Sequence, residues 1–247
     1  MLSSIDKLIL ENLKNTNPEA YDLFLRTEAE HKEVVKRGCH DVRNIITVIS
    51  GAYQLLDLTN KDLSALPRWT QLGKDIKYLI EAFNRIGYYR YADNVNIEHT
   101  TVTELIHRIN EYSTAQYPDS SFVYSTRLNQ PDIVTDITKL YEALAHLIDN
   151  AVEAVNSCTD SCCKEIAVSI FENKETHTLE ITIANACQTP DARIINSLTE
   201  PFISNKSNRI GLGLSIAART ISALNGTLCY DFTNDYCTIN VTIPYNC

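Results

Sequence analysis

Two sustained heptad seams constrain this chain more than any other feature of its sequence. From Val35 the apolar positions run Val35, Cys39, Val42, Ile46, Ile49, Tyr53 and Leu56, stepping alternately by four and three residues. Such a period keeps one apolar stripe along one side of a helix and demands a partner beside it. A turn region from Asp57 to Pro67 follows, and a second seam then reads Trp69, Leu72, Ile76, Leu79, Phe83 and Ile86. Two helices joined by about ten residues form an antiparallel hairpin. Neither can bury its stripe fully against one partner, so two hairpins are expected to pair into a four-helix bundle. The expectation is a homodimer.

The pattern changes after Asn94. Val102, Leu105, Ile106 and Ile109 give a helix face, Phe122 to Thr126 reads as a short strand, and Leu140, Leu144, Leu147, Ile148, Ala151 and Val155 mark another helix. Strand alternation follows at Ile166/Val168/Ile170 and at Leu179/Ile181/Ile183, then a last helix over about Leu212 to Leu224 and strands near Thr227–Phe232 and Cys237–Ile243. Mixed helices and strands predict an α+β fold, a two-layer sandwich following the helical hairpin. The expected organisation is an N-terminal helical segment over 1–25, the hairpin over 26–95 and the sandwich over 96–247.

Composition narrows the partners. Acidic residues outnumber basic ones 31 to 22, for a net charge of −9. That balance argues against non-specific nucleic-acid binding and against adhesion to anionic lipid. No apolar run reaches the ~18 residues of a membrane span, and the charged start MLSSIDKLILENLK does not read as a signal peptide. The expectation is a soluble, cytoplasmic protein without membrane insertion. Eight cysteines are then read as reduced thiols. Cys158, Cys162 and Cys163 cluster, but without the paired spacing of a zinc site.

Chemistry enters at His40-Asp41-Val42-Arg43-Asn44. His40 follows the seam residue Cys39 and therefore lies beside the seam, with Asp41 next to it and Asn44 one turn on. A phosphoacceptor needs a reachable neutral imidazole nitrogen and a carboxylate to orient the ring. An exposed helix histidine with a chance acidic neighbour has the same sequence.

The run HDVRNIITVISGAYQLL resembles the H-box of bacterial two-component histidine kinases, and the second half continues the resemblance in order. Leu140 to Ala151 looks like the N-box; Glu200-Pro201-Phe202 with Ser204 and Lys206 looks like the F-box. Gly211-Leu212-Gly213-Leu214 looks like the second glycine box, and Asn225-Gly226 with the closing strand to Pro244 matches the end of the same GHKL-type ATPase domain. The resemblance implies ATP and Mg²⁺ as cofactors, with His40, Asp41 and Asn44 as catalytic residues. It assigns Asn150, Asn185, Lys206, Gly211 and Gly213 to nucleotide, and Asn150 with Glu142 to the metal. An asparagine oxygen suits Mg²⁺ and its amide suits a phosphate oxygen; Gly211 and Gly213 let bare backbone approach phosphate at a helix N-terminus.

One box departs from the pattern. The family's first glycine box carries an aspartate that reads the adenine amino group, and here the aligned stretch is Ala184-Asn185-Ala186-Cys187-Gln188-Thr189-Pro190. Without a gap that aspartate falls on Ala184; Asn185 substitutes for it if the turn is one residue shorter. The N-box has His146 where the family usually has a second asparagine. Three readings follow: a kinase that moves the γ-phosphoryl of ATP to His40 and on to a response-regulator aspartate; a histidine phosphotransferase or phosphatase on a degenerate kinase frame that uses no ATP; and a non-catalytic dimeric scaffold.

Overall fold

The computed structural model describes residues 4–128, 132–158, 164–195, 197–204 and 210–245. The chain divides into two compact units, Met1–Gly87 and Tyr88–Cys247.

The first unit is helical: α1 (Ser4–Thr16), α2 (Pro18–Thr59), a 3₁₀ turn (Leu63–Ala65) and α3 (Pro67–Arg90), whose last turn counts with the second unit. Asn17 separates α1 from α2 by capping, its Oδ1 accepting from the Ala20 N–H at 3.1 Å, with Pro18 at the first helical position. α2 then runs through residues 25 and 26 without a break, where the sequence reading divides an N-terminal segment from the hairpin. The second unit likewise begins at Tyr88, earlier than the division near 95.

The hairpin closes on aromatic packing. Tyr53 stacks on Trp69 with ring centroids 4.6 Å apart, and its hydroxyl donates to the Trp69 carbonyl. Trp69 Nε1 and Ser64 Oγ both donate to Asp57 Oδ1, at 2.8 and 3.0 Å. Gly73 is buried under the Tyr53 ring, where a Cβ would collide. By contrast Gly38 and Gly51 lie on the exposed side of α2 with open space around them.

The expected seam divides into two rows. Ile46 and Ile76 are 5% and 7% exposed, and Cys39, Tyr53, Trp69 and Phe83 are half-buried. Val35, Val42, Ile49 and Leu56 on α2, with Leu72 and Leu79 on α3, remain 38–47% exposed. One hairpin therefore covers one row and leaves the other to water.

The second unit contains β1 (Glu98–Thr101), α4 (Val102–Gln116), β2 (Ser121–Arg127), β3 (Asp132–Thr135), α5 (Ile137–Ser157), β4 (Glu165–Asn173), β5 (Thr178–Ala186), α6 (Ala192–Ile195), α7 (Gly213–Ala223), β6 (Thr227–Thr233) and β7 (Tyr236–Pro244). A five-stranded sheet has the order β2-β4-β5-β7-β6, with β2 parallel to β4 and the remaining pairs antiparallel. The small antiparallel sheet β1-β3 and the short α6 carry no strong periodicity and are absent from the sequence reading. Alternate residues of β5 (Leu179, Ile181, Ile183) and β7 (Ile239, Val241, Ile243) pack with Leu105, Leu140, Leu144, Leu147 and Ile148 of the helices in one core. This is the two-layer arrangement expected.

Helix ends are specified locally. Asp136 caps α5, accepting from Lys139 N–H at 2.9 Å, and Thr101 caps α4. α7 closes in a Schellman motif: Asn225 has φ +58°, its N–H donates to the Ser222 carbonyl, and the Gly226 N–H donates to that of Ile221. A Cβ on Gly226 would lie 2.6 Å from both the Thr242 carbonyl oxygen and Ile243 Cδ1. Gly226→Ala is therefore expected to lose ~1–3 kcal/mol by forcing α7 away from β7, read from the midpoint of chemical denaturation. An unchanged midpoint would show that the strand yields at no cost.

Candidate functional site

In the first unit, α2 brings His40, Asp41 and Asn44 together. His40 Nδ1 lies 3.4 Å from Asp41 Oδ1 and 3.3 Å from Asn44 Nδ2. The side chains of His40 and Asp41 are 71% and 75% exposed. A neutral imidazole carries one N–H, so the two neighbours select different tautomers. Donation from Nδ1 to Asp41 leaves the Nε2 lone pair open to solvent; acceptance at Nδ1 from the Asn44 amide puts the proton on Nε2. Asp41 thus favours the nucleophilic form and Asn44 opposes it.

In the second unit, α5 carries Asn150. Its Nδ2 is buried and has no hydrogen-bond partner among the described residues. An orphaned buried donor costs ~1–3 kcal/mol, and a phosphate oxygen or another ligand acceptor would satisfy it. The neighbouring Asp149 is firmly held, its Oδ1 accepting from the hydroxyls of Tyr112 at 2.6 Å and Tyr117 at 2.7 Å. Burial, followed by the bond to Asp149, pushes the Tyr112 hydroxyl well above the usual phenol range.

Glu142 does not join Asn150. Eight residues along a helix turn through ~80° beyond two full turns, and Glu142 Oε2 pairs with Lys139 Nζ at 2.9 Å. His146, one turn before Asn150, lies nearer that face.

Strand register separates the two positions that the sequence left open in β5. Leu179, Ile181, Ile183 and Asn185 alternate onto the core face, and Asn185 is 1% exposed; Ala184 points to the other face. Asn185 Nδ2 donates to the Ala186 carbonyl at 2.8 Å. A flipped amide would set two acceptors against each other, so Oδ1 is the atom left to accept. Sequence reasoning expects Asn185→Asp to tighten nucleotide binding by restoring a carboxylate. Here that change instead faces a carboxylate oxygen with a carbonyl.

Gly211 has φ +70°, its carbonyl accepts from Phe202 N–H at 2.9 Å, and a Cβ there would run into the Ile203 backbone. Its close approach is to residues 202–203 of its own chain. Gly213 opens α7, and Leu212 at the N-cap supplies no side-chain cap. The first-turn N–H groups thus receive no side-chain cap from the N-cap residue, an arrangement that suits an anion. Lys206, Cys162 and Cys163 lie outside the described residues. Cys158 Sγ donates to the Ala154 carbonyl at the end of α5. Among the described residues no cluster of three or more His, Cys, Asp or Glu side chains is arranged to hold a metal.

Sequence reasoning missed one constellation in this unit. Arg219 Nη2 pairs with Asp93 Oδ2 at 2.6 Å, and its guanidinium lies 5.0 Å from the centre of the Tyr89 ring. More than a hundred residues separate these partners in sequence, and no local pattern announces them.

Comparison with known proteins matches residues 135–244 to the GHKL domain. Sporulation kinase B of Bacillus subtilis (strain 168) is 26% identical over 227 residues, covering 86% of this chain and 50% of its own length. Sensory histidine kinase/phosphatase NtrB of Rhizobium meliloti (strain 1021) is 24% identical, covering 83% of this chain and 56% of its own. The chain thus spans about half the length of these relatives. Among solved structures, full-length ShkA in complex with AMPPNP superposes with a TM-score of 0.71 at 16% identity, over 86% of this chain and 46% of that one. No helix among the described residues is long and apolar enough to cross a membrane. Residues 135–244 match the GHKL domain, and the chain shares its fold with the solved ShkA structure.

Proposed function

We propose that this chain is an ATP-dependent protein histidine kinase that phosphorylates His40 and relays the phosphoryl group to an aspartate of a response-regulator receiver domain. The observation that carries ATP use is the buried, unpartnered Asn150 amide, in a domain whose relatives are named as kinases. The residues present fit a magnesium nucleotide in part. Asn150 would offer Oδ1 to the cation and Nδ2 to phosphate, the first turn of α7 from Gly213 would face phosphate, and Asn185 Oδ1 would accept from the adenine amine. Lys206 is assigned to the terminal phosphate and Glu142 to the metal by resemblance alone, and Glu142 would first have to leave Lys139. Mg²⁺ would supply neutralisation of phosphate charge.

At His40 the Nε2 lone pair attacks the γ-phosphorus, the bond to the bridging oxygen breaks, and ADP departs. The Nδ1 proton stays on the ring, where Asp41 stabilises the positive charge that develops. Transfer to the receiver carboxylate reverses the chemistry at the imidazole and restores its lone pair. Positioning and charge neutralisation provide the rate. Incubation with γ-labelled ATP is expected to label the protein with phosphate that is labile to acid and stable to base. Label of the opposite stability, or none, would overturn the reading. Asn44 supports a second activity on the same frame: its amide beside His40 would orient water against a phosphorylated receiver, and one relative is named a kinase/phosphatase.

The homodimer follows from the uncovered row of Val35, Val42, Ile49, Leu56, Leu72 and Leu79, which a second hairpin would bury. Sequence reasoning selects Ile46→Asp and Ile76→Asp to split the dimer, but both side chains are buried inside one hairpin, so both changes would damage the monomer. Ile49→Asp spares that packing. It is expected to convert a dimer to a helical monomer, read by sedimentation and circular dichroism; a monomeric unmodified protein would sink the proposal.

A further inference from the structure

Within the second unit, the segment from Tyr88 to Asn96 is tied to both helices that carry the proposed nucleotide groups. On α5, the Tyr88 ring meets His146 edge-on with centroids 6.2 Å apart, one turn before Asn150. The Asn96 N–H donates at 2.7 Å to Asp136 Oδ2, whose other oxygen caps α5. On α7, Arg219 holds Asp93 and covers the Tyr89 ring. Ala92, between these ties, is 1% exposed. Arg219 lies six residues beyond Gly213, ~9 Å along the helix. The α5 and α7 helices also pack directly on each other.

We propose that residues 88–96 form a strap that fixes the setting of α5 against α7, with Arg219 as its positioning residue, so that strap docking and nucleotide binding favour each other. The inference rests on the nucleotide reading above. An exposed ion pair would carry little of this, but the Arg219 side chain is only 23% exposed. Its guanidinium holds the Asp93 carboxylate and lies over the Tyr89 ring. Coupling between binding events is reciprocal: if the docked strap tightens nucleotide, nucleotide must tighten the strap by the same factor. The strap also continues directly from α3, which ends at Arg90, so a strain carried along that helix would act on nucleotide affinity through this segment.

The test combines Mg²⁺-ATP binding by calorimetry with hydrogen exchange of the 88–96 amides. In the unmodified protein, ATP is expected to slow exchange across the strap. Asp93→Asn and Arg219→Gln are each expected to weaken ATP binding about fivefold or more, and Asp93→Arg combined with Arg219→Asp to recover most of the loss. Recovery by the swapped pair separates positioning from a general loss of folding, which neither charge reversal would repair. Unchanged affinity in both single variants, or strap exchange indifferent to ATP, overturns the strap alone. No ATP binding by the unmodified protein overturns the nucleotide reading and the strap together.

Discussion

His40→Ala is expected to abolish acid-labile phosphate uptake from ATP and from a phosphorylated receiver alike, while the helices remain folded. The side chain is mostly exposed and its contacts are to Asp41 and Asn44 on its own helix. Its removal should therefore change stability by less than ~0.5 kcal/mol. The loss is then chemical, because the other histidine of α2, His31, follows Glu30 but has Val35 where His40 has Asn44. Asp41→Asn should retain the site of labelling but slow transfer, since it removes the acceptor that keeps the Nδ1 proton in place. Asn44→Ala should preserve labelling, or raise it, by withdrawing the donor that favours the unreactive tautomer, while lowering removal of phosphate from the receiver. Persistent acid-labile labelling of His40→Ala would refute His40 as the phosphoacceptor in both the kinase and the phosphotransferase readings.

The second large effect is expected at Asn150, where binding and stability should move in opposite directions. Asn150→Leu keeps approximate volume and removes a buried donor that has no partner among the described residues. Relief of that desolvation cost should leave the nucleotide-free protein as stable as before, or more stable by ~1–3 kcal/mol. Mg²⁺-ATP binding should fall below detection, because one side chain offers both the oxygen for the cation and the N–H for phosphate. Denaturation without nucleotide and calorimetry with it read the two halves separately. A purely structural asparagine would show destabilisation with unchanged binding, and that result would remove the main support for ATP use. Such opposition of stability and function is common where a site is built for a ligand.

What the sequence disclosed followed the reach of its periodicities. The seams show a hairpin because every residue in them repeats on one helix side; they do not show that one row is closed within the chain and the other left open. That division depends on the rotation of each helix, which Tyr53, Trp69 and Gly73 set at the turn. The strands β4, β5 and β7 were legible from alternation. The β1-β3 pair was not, because four-residue strands joined across some thirty residues leave no local pattern. Asn185 and Ala184 could not be separated without strand register, since a shift of one residue exchanges faces. The Arg219 contacts belong wholly to tertiary structure. Glu142, which the resemblance assigns to the metal, pairs with Lys139 three residues before it, a contact that no motif announces.

The two uncrowded glycines of α2 bear on how firmly His40 is held. No packing requires Gly38 or Gly51, and each weakens a helix interior by about 1 kcal/mol relative to alanine. They stand on either side of His40, Gly38 only two residues before it. Gly38 therefore weakens α2 within one turn of the proposed phosphoacceptor His40. Transient unwinding would be concentrated there, letting the imidazole leave the helix surface and swing toward one phosphate carrier and then another without the rest of α2 having to move.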